Sequence, residues 1–319
     1  MRDLFPGDRL DQYEIKDLLA RGGMASLFTA VDTDSGRTVV LKIPHLQYES
    51  DVVFYERFKR EEEIGQRCDH PNVVKVLTPR EKSGMYLAME YVEGRSLRDE
   101  LRRGVPLSVE RALEIARQLC AALSYLHRNG VVHRDVKPEN VLLASRDGSV
   151  KLLDFGIAFL EAARRLTWTG LSGTVGTPDY MAPEQTRGRR GSARSDVYAI
   201  GTILYEMLTG RLPYDAPDAG AMLRIKARSN PTPPREWVRE IPSPLEAVVL
   251  KAIACDPRVR YADADELLGD LREPYGEASR ARAASDADAP GVPGGDARHA
   301  LLAAIVAGAV LAGLAWFVR

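Results

Sequence analysis

Residues 131–140, Val131-Val132-His133-Arg134-Asp135-Val136-Lys137-Pro138-Glu139-Asn140, gather the acid Asp135, Lys137 and the amide Asn140, and Lys151-Leu152-Leu153-Asp154-Phe155-Gly156 soon adds the acid Asp154. The first stretch follows an amphipathic helical run that opens at Ser108-Val109-Glu110-Arg111, reaches His127 and is stopped by Asn129-Gly130. Val141-Leu142-Leu143 lies between the two. Two carboxylates so close to a lysine and an amide point to chemistry rather than to packing alone.

Working outward, the N-terminal part reads as a β meander: Tyr13 to Leu19, Ser26 to Val31 and Thr38 to Ile43, the last two joined by Asp32-Thr33-Asp34-Ser35-Gly36. Asp51 to Arg67 is helical and charged, and Asp69-His70-Pro71-Asn72 stops it before the strand-like Val73 to Leu77. Met85 to Tyr91 is a further strand, and Ser195 to Leu208 and Leu245 to Ala254 are helical. A small β-rich lobe therefore precedes a larger helical one, with Glu90 to Gly94 as connector and a nucleotide-sized cleft expected between them. Between the first two strands, Leu19-Ala20-Arg21-Gly22-Gly23-Met24-Ala25-Ser26-Leu27 has the small residues that let backbone N–H groups approach phosphate oxygens. On its own this segment reads rather as a tight hairpin that needs glycine for its geometry. Lys42 ends the third strand, and Glu61 on the next helix is the acid that would hold it.

The run from His133 to Asn140 followed by Asp154-Phe155-Gly156 resembles the protein kinase family, and the likeness extends over residues 10–273. It implies an α+β, bilobal protein-kinase fold with an N-lobe over 10–90, a hinge at 90–94 and a C-lobe over 95–273. By that resemblance Asp135 orients the acceptor hydroxyl and takes its proton, and Lys137 steadies the γ-phosphoryl group. Asn140 and Asp154 hold Mg²⁺, or Mn²⁺ in its place, through the hard oxygen donors such a cation prefers. Lys42 with Glu61 orients the α and β phosphates of ATP. Leu19, Ala20, Arg21, Gly22, Gly23, Met24, Ala25 and Leu27 cover the nucleotide, and Met89, Glu90 and Val92 border its adenine.

Lys137 in the Asp-x-Lys-x-x-Asn pattern and Thr177 in Gly176-Thr177-Pro178-Asp179-Tyr180 resemble serine/threonine rather than tyrosine kinases. Ala182-Pro183-Glu184 with Arg260, and Asp196 bracing the catalytic loop, read as structural members of the same pattern. Within the family the likeness is to bacterial, Hanks-type (eukaryotic-like) kinases. Ala20 and Ala25 depart from it, standing where the phosphate loop has its first and third glycines, with a possible loss of nucleotide affinity as the consequence. The implied activity is transfer of the γ-phosphoryl group of ATP to Ser or Thr hydroxyls of cytoplasmic proteins, with autophosphorylation in the activation segment. The competing reading is a membrane-tethered pseudokinase scaffold, against which stands the intact set Lys42, Asp135, Lys137, Asn140 and Asp154.

The remaining composition narrows the setting. The 319 residues carry a formal charge of −1 with acids and bases interspersed, so nucleic acid is not an expected partner. Cys68, Cys120 and Cys255 are far apart and form no Cys-x-x-Cys pair, which fits free thiols in a reducing compartment. Residues 274–299 are rich in Ala, Gly, Pro, Asp and Arg and read as a flexible juxtamembrane linker. Residues 300–318 carry no charge and, as a helix, nearly span a hydrocarbon core of about 30 Å. A single-pass anchor in the cell (inner) membrane is expected, with Arg280, Arg282 and Arg298 keeping the kinase domain cytoplasmic. Ala300, Ala304, Gly308 and Ala312 recur every four residues, a spacing compatible with a homodimer through this helix. In the activation segment Thr167, Thr169, Ser172 and Thr174 are candidates for phosphorylation, with Arg134 as the group a phosphate there would meet.

Overall fold

Period-two alternation gives the N-terminal strands two distinct faces. β1 (Arg9–Leu10), β2 (Tyr13–Arg21), β3 (Ala25–Asp32), β4 (Thr38–Pro44), β5 (Val76–Leu77) and β6 (Leu87–Glu90) form an antiparallel sheet in the order β1-β2-β3-β4-β6-β5. One face packs Tyr13, Ile15, Phe28, Ala30, Val39, Leu41, Tyr86 and Ala88 into a core of its own. The other face presents Leu27, Val40, Leu87 and Met89 to a second, larger core shared with the helical part. Since Lys42 follows Val40 by two residues, pleating puts it on this second face.

The computed structural model of the protein describes residues 4–48, 51–101, 104–154 and 179–272. Phe155, Gly156, Thr167, Thr169, Ser172, Thr174, Thr177, the linker 274–299 and the apolar run 300–318 lie outside the described residues. Among the described residues no helix is long and apolar enough to cross a membrane.

Helix α1 (Val52–Arg67) is started by Asp51, whose carboxylate accepts from the amides of Val53 (2.9 Å) and Phe54 (3.1 Å). Phe54, Phe58 and Glu61 fall on its buried stripe. The strand expected over Val73 to Leu77 is divided, because the chain changes partner within it. Val73 bridges Leu152 and Val74 donates to the Leu152 carbonyl (3.0 Å), whereas only Val76–Leu77 joins β6. This exchange ties the N-terminal sheet to the larger lobe.

The connector leads into a second sheet that the sequence reading did not anticipate: β7 (Gly94–Ser96), β8 (Val141–Ala144) and β9 (Val150–Leu152). Gly94 is required there, since a Cβ at this position would lie 2.4 Å from the Leu143 carbonyl oxygen. Around this sheet stand α2 (Leu97–Leu101) and α3 (Val109–Arg128). The chain continues, beyond the described gap, through α4 (Pro183–Thr186), α5 (Ala193–Thr209), α6 (Ala219–Arg228), α7 (Pro234–Trp237), α8 (Ser243–Ala252) and α9 (Ala264–Arg272). Every residue of α5 from Ser195 to Thr209 is buried, so this helix is the axis on which α3, α8 and α9 pack. The fold is bilobal, with a β-sheet N-lobe and a helical C-lobe.

Candidate active site

The cleft between the lobes is crossed by a three-membered charge cluster. Lys42 Nζ donates to Glu61 Oε1 (2.9 Å) and to Asp154 Oδ1 (2.8 Å), so one strand lysine links helix α1 to the segment after β9. Glu61 is 2% exposed. Burial disfavours the Lys42 ammonium, but Asp154 and Glu61 outweigh it and raise its pKa above the usual lysine range. Burial would likewise raise Asp154, and the adjacent Lys42 ammonium holds it below the ordinary carboxylate value. Glu61, deeper in the pocket, is pushed upward by burial against the pull of Lys42. Asp154 therefore stands in the cleft as an ionised oxygen donor. Its φ of 46° lies in the left-handed region, where a non-glycine residue is strained, and the ion pair to Lys42 offsets that cost.

The catalytic-loop residues are fixed from beneath. Asp196, 1% exposed on α5, accepts from the backbone amides of His133 (2.9 Å) and Arg134 (2.7 Å), and its Oδ2 lies 2.9 Å from His127 Nε2. Arg134 holds φ at 70°, a second strained turn that this carboxylate supports. His133, fully buried, places Nε2 3.0 Å from the Leu153 carbonyl, which couples the loop to the residue before Asp154. Asp135 Oδ2 accepts from Lys137 Nζ (2.8 Å) and from Asn140 Nδ2 (3.2 Å), and Asn140 also donates to the Asp135 carbonyl (2.8 Å). With its amide nitrogen used on Asp135, Asn140 has its side-chain oxygen as the acceptor end. The Asn140 carbonyl receives the Leu153 amide (2.8 Å). Asp135, Lys137, Asn140 and Asp154 are thus brought together on one wall of the cleft.

These groups fit a divalent cation held mostly by a phosphate chain. Among the described residues no cluster of three or more His, Cys, Asp or Glu is arranged as a self-sufficient metal cage. One carboxylate and one amide oxygen are the sparse donor set that Mg²⁺ uses when phosphate oxygens and waters complete its shell. Asp154 and Asn140 are the residues that would hold it.

On the nucleotide side the structure corrects the loop drawn between the first strands. β2 runs through Arg21 and β3 begins at Ala25, with Ala20 paired to Leu27, so only Gly22-Gly23-Met24 form the turn, closed by Gly22 N to Ala25 O (2.9 Å). Ala20 and Ala25 lie in strands with negative φ, a backbone any residue adopts; the methyl groups cost no conformational strain. Leu19 is half exposed, on the irregular part of β2. Leu27 and Met24 pack against the shared core, as do Met89 and Val92. Glu90 points elsewhere: its carboxylate accepts from the Lys75 amide (3.0 Å) and from Lys151 Nζ (2.6 Å), so the side chain braces the connector.

Below the loop, Glu184 forms a two-pronged pair with Arg260 (2.9 Å on each side), whose side chain has no exposure. The arginine also donates to the carbonyls of Ala254 (2.6 Å) and Cys255 (2.9 Å). Gln185 reaches the Arg134 carbonyl (3.1 Å), joining α4 to the catalytic loop. A network that carries no sequence signal lies alongside. Arg98 on α2 donates to Glu139 (3.0 Å), to Glu206 (2.8 Å) and to the Tyr180 hydroxyl, and Tyr180 itself bonds Glu206.

The model of the protein kinase domain family matches residues 13–270. The chain belongs to the protein kinase family. Its kinase domain is of the bacterial Hanks-type serine/threonine class. It is 41% identical over 267 residues to a probable serine/threonine-protein kinase of Streptomyces coelicolor, covering 82% of this chain and 39% of that one. To the serine/threonine-protein kinase PrkC of Bacillus subtilis it is 35% identical over 265 residues, covering 83% and 40%. Among solved structures, the kinase domain of Mycobacterium tuberculosis PknI superposes with a TM-score of 0.66 at 26% identity, covering 85% of this chain and 99% of that one. The chain spans about four tenths of the length of the curated relatives it matches.

Proposed function

We propose that this chain is a serine/threonine protein kinase that uses ATP to phosphorylate protein hydroxyls, itself included. The observation that supports it best is the pairing of Lys42 with both Glu61 and Asp154 while Asp135, Lys137 and Asn140 stand on the same cleft wall. Lys42 is held to meet the α and β phosphates, and Asp135 faces the position an acceptor hydroxyl would take. That hydroxyl gives its proton to Asp135 as its oxygen bonds the γ-phosphorus, and the bond from phosphorus to the β-phosphate oxygen breaks to release ADP. Lys137 then balances charge on the phosphoryl oxygens instead of on Asp135. The metal, when bound, supplies further neutralisation of the phosphates.

Regulation by phosphorylation fits the surroundings of Arg134. Burial, and then the nearby cations Arg190 and Arg60, lower its pKa, a concentration of positive charge that a phosphate on Thr167, Thr169, Ser172 or Thr174 would relieve. The apolar run 300–318, behind the linker 274–299, is the segment suited to hold the domain on the cytoplasmic face of a membrane, with cytoplasmic proteins as substrates.

The test is incubation of the purified chain with γ-labelled ATP and Mg²⁺, followed by phosphoamino acid analysis. Label should appear on serine and threonine and fall at least about a hundredfold in Lys42→Met, the scale on which positioning of phosphates matters. Label confined to tyrosine, or equal in the variant, would refute the proposal.

A further inference from the structure

Lys226, on α6, is 1% exposed, which is uncommon for an ammonium group. Its Nζ donates to the backbone carbonyls of Asp179 and Met181 (3.0 Å to the latter) and lies 5.2 Å from the centre of the Tyr198 ring. Burying a lysine costs more than burying a methionine or leucine of similar size, so a fold gains little stability from it. What distinguishes Lys226 is what it grips. The two carbonyls flank Tyr180, whose hydroxyl is bound by Glu206 and by Arg98, which reaches Glu139 inside the catalytic loop. Segment 179–181 is therefore fastened by its backbone to α6 and by its side chain to the loop carrying Asp135. It leads directly into α4, which packs against α6 and joins the Arg134 carbonyl through Gln185.

We propose that Lys226 is a positioning residue for the protein substrate: it holds segment 179–181 in the shape that presents the acceptor hydroxyl to Asp135, without contributing to nucleotide binding. This deepens, and rests on, the kinase reading above. Among the described residues, the ionisable groups facing Lys226 include Asp179 on the gripped segment, Tyr198 on α5 and Arg260 beyond α8. Burial, reinforced by Arg260 and opposed by Asp179, lowers the lysine pKa to about 7. Above that value the amine has one N–H fewer and no charge, so its hold on two carbonyls weakens. Burial raises the Asp179 carboxyl, which makes that group the one to separate from Lys226 in a pH experiment.

The experiment is steady-state kinetics of the full chain between about pH 6 and about pH 8.5, with an acceptor peptide selected from a Ser/Thr library on the unmutated chain and free of His and Cys. Expected in the unmutated chain is an acceptor KM that rises with pH through about 7 while the KM for ATP stays level. Lys226→Met should raise the acceptor KM roughly tenfold at the acid end, as for one lost charge-assisted hydrogen bond, change the ATP KM by less than about twofold and remove the pH dependence. Asp179→Asn should keep that dependence. A folded Lys226→Met with the acceptor KM and pH profile of the unmutated chain overturns the proposal, and so does loss of the profile in Asp179→Asn. Should Lys226→Met not fold, the unmutated chain decides, since a flat acceptor KM across this range also overturns it. A chain for which no peptide can be selected overturns the kinase reading and this inference with it.

Discussion

Glu184 and Arg260 show how a single buried pair can hold a site it never touches. Removing the acid leaves a guanidinium with no exposure, facing backbone carbonyls and the Tyr198 ring. Glu184→Ala should lower unfolding free energy by about 3–5 kcal/mol, measured by denaturant titration, because the arginine charge stays buried and uncompensated. A loss below about 1 kcal/mol would mean that the arginine escapes to solvent. Lys226 behaves oppositely with pH. Its pKa falls from 10.5 in the unfolded chain to about 7 in the folded one, so between those values the unfolded chain binds more protons. Stability from this residue therefore rises with pH across the window, and its cost is greatest below about pH 7. In thermal melts Lys226→Met should hold its largest advantage over the unmutated chain at low pH and lose it progressively toward pH 10; a constant offset would contradict this.

The strands and helices divide sharply in how much of them the sequence discloses. The catalytic loop is readable because each residue type is demanded at a fixed spacing by chemistry within one short segment. Glu61 is harder to choose, standing beside Glu62 and Glu63. Helical rotation settles it, since Glu61 turns inward to Lys42 while Glu62 meets Lys82 on the outer side. The sheet of β7, β8 and β9 is hard to read because its strands are three or four residues long, too short for a period to show, and β7 pairs with β8 far along the chain. Lys226, Arg98 and Glu206 are illegible for a related reason: they stand outside the motifs, and their partners are far along the chain. The lowered nucleotide affinity expected from Ala20 and Ala25 has no support in backbone strain, since both fall in paired strands. Ala20→Gly and Ala25→Gly should accordingly change nucleotide affinity, measured by calorimetry, by no more than about twofold. A gain of tenfold or more from either would restore the methyl group as an obstacle.

At the scale of the whole domain, the lobes share an apolar core, and specific polar links set their register across it. Val73 and Val74 pair with Leu152, and Asn72 donates to Gln118 Oε1 and to the Val150 carbonyl (2.9 Å each). Lys42 reaches Asp154 across the cleft. These contacts set the nucleotide side of the cleft against the catalytic loop, which Asp196 and the Glu184–Arg260 pair hold from the opposite side. On the kinase reading proposed above, nucleotide would be bound by the N-lobe sheet and Lys42, and transfer would depend on Asp135. The direct test is a paired measurement on the full chain and on Asp135→Asn, recording nucleotide affinity and phosphoryl transfer from γ-labelled ATP to serine and threonine. The account predicts unchanged nucleotide affinity and transfer reduced by at least about a hundredfold in the variant. Equal transfer by the two proteins, or nucleotide binding with no transfer by the unmutated chain, would contradict it.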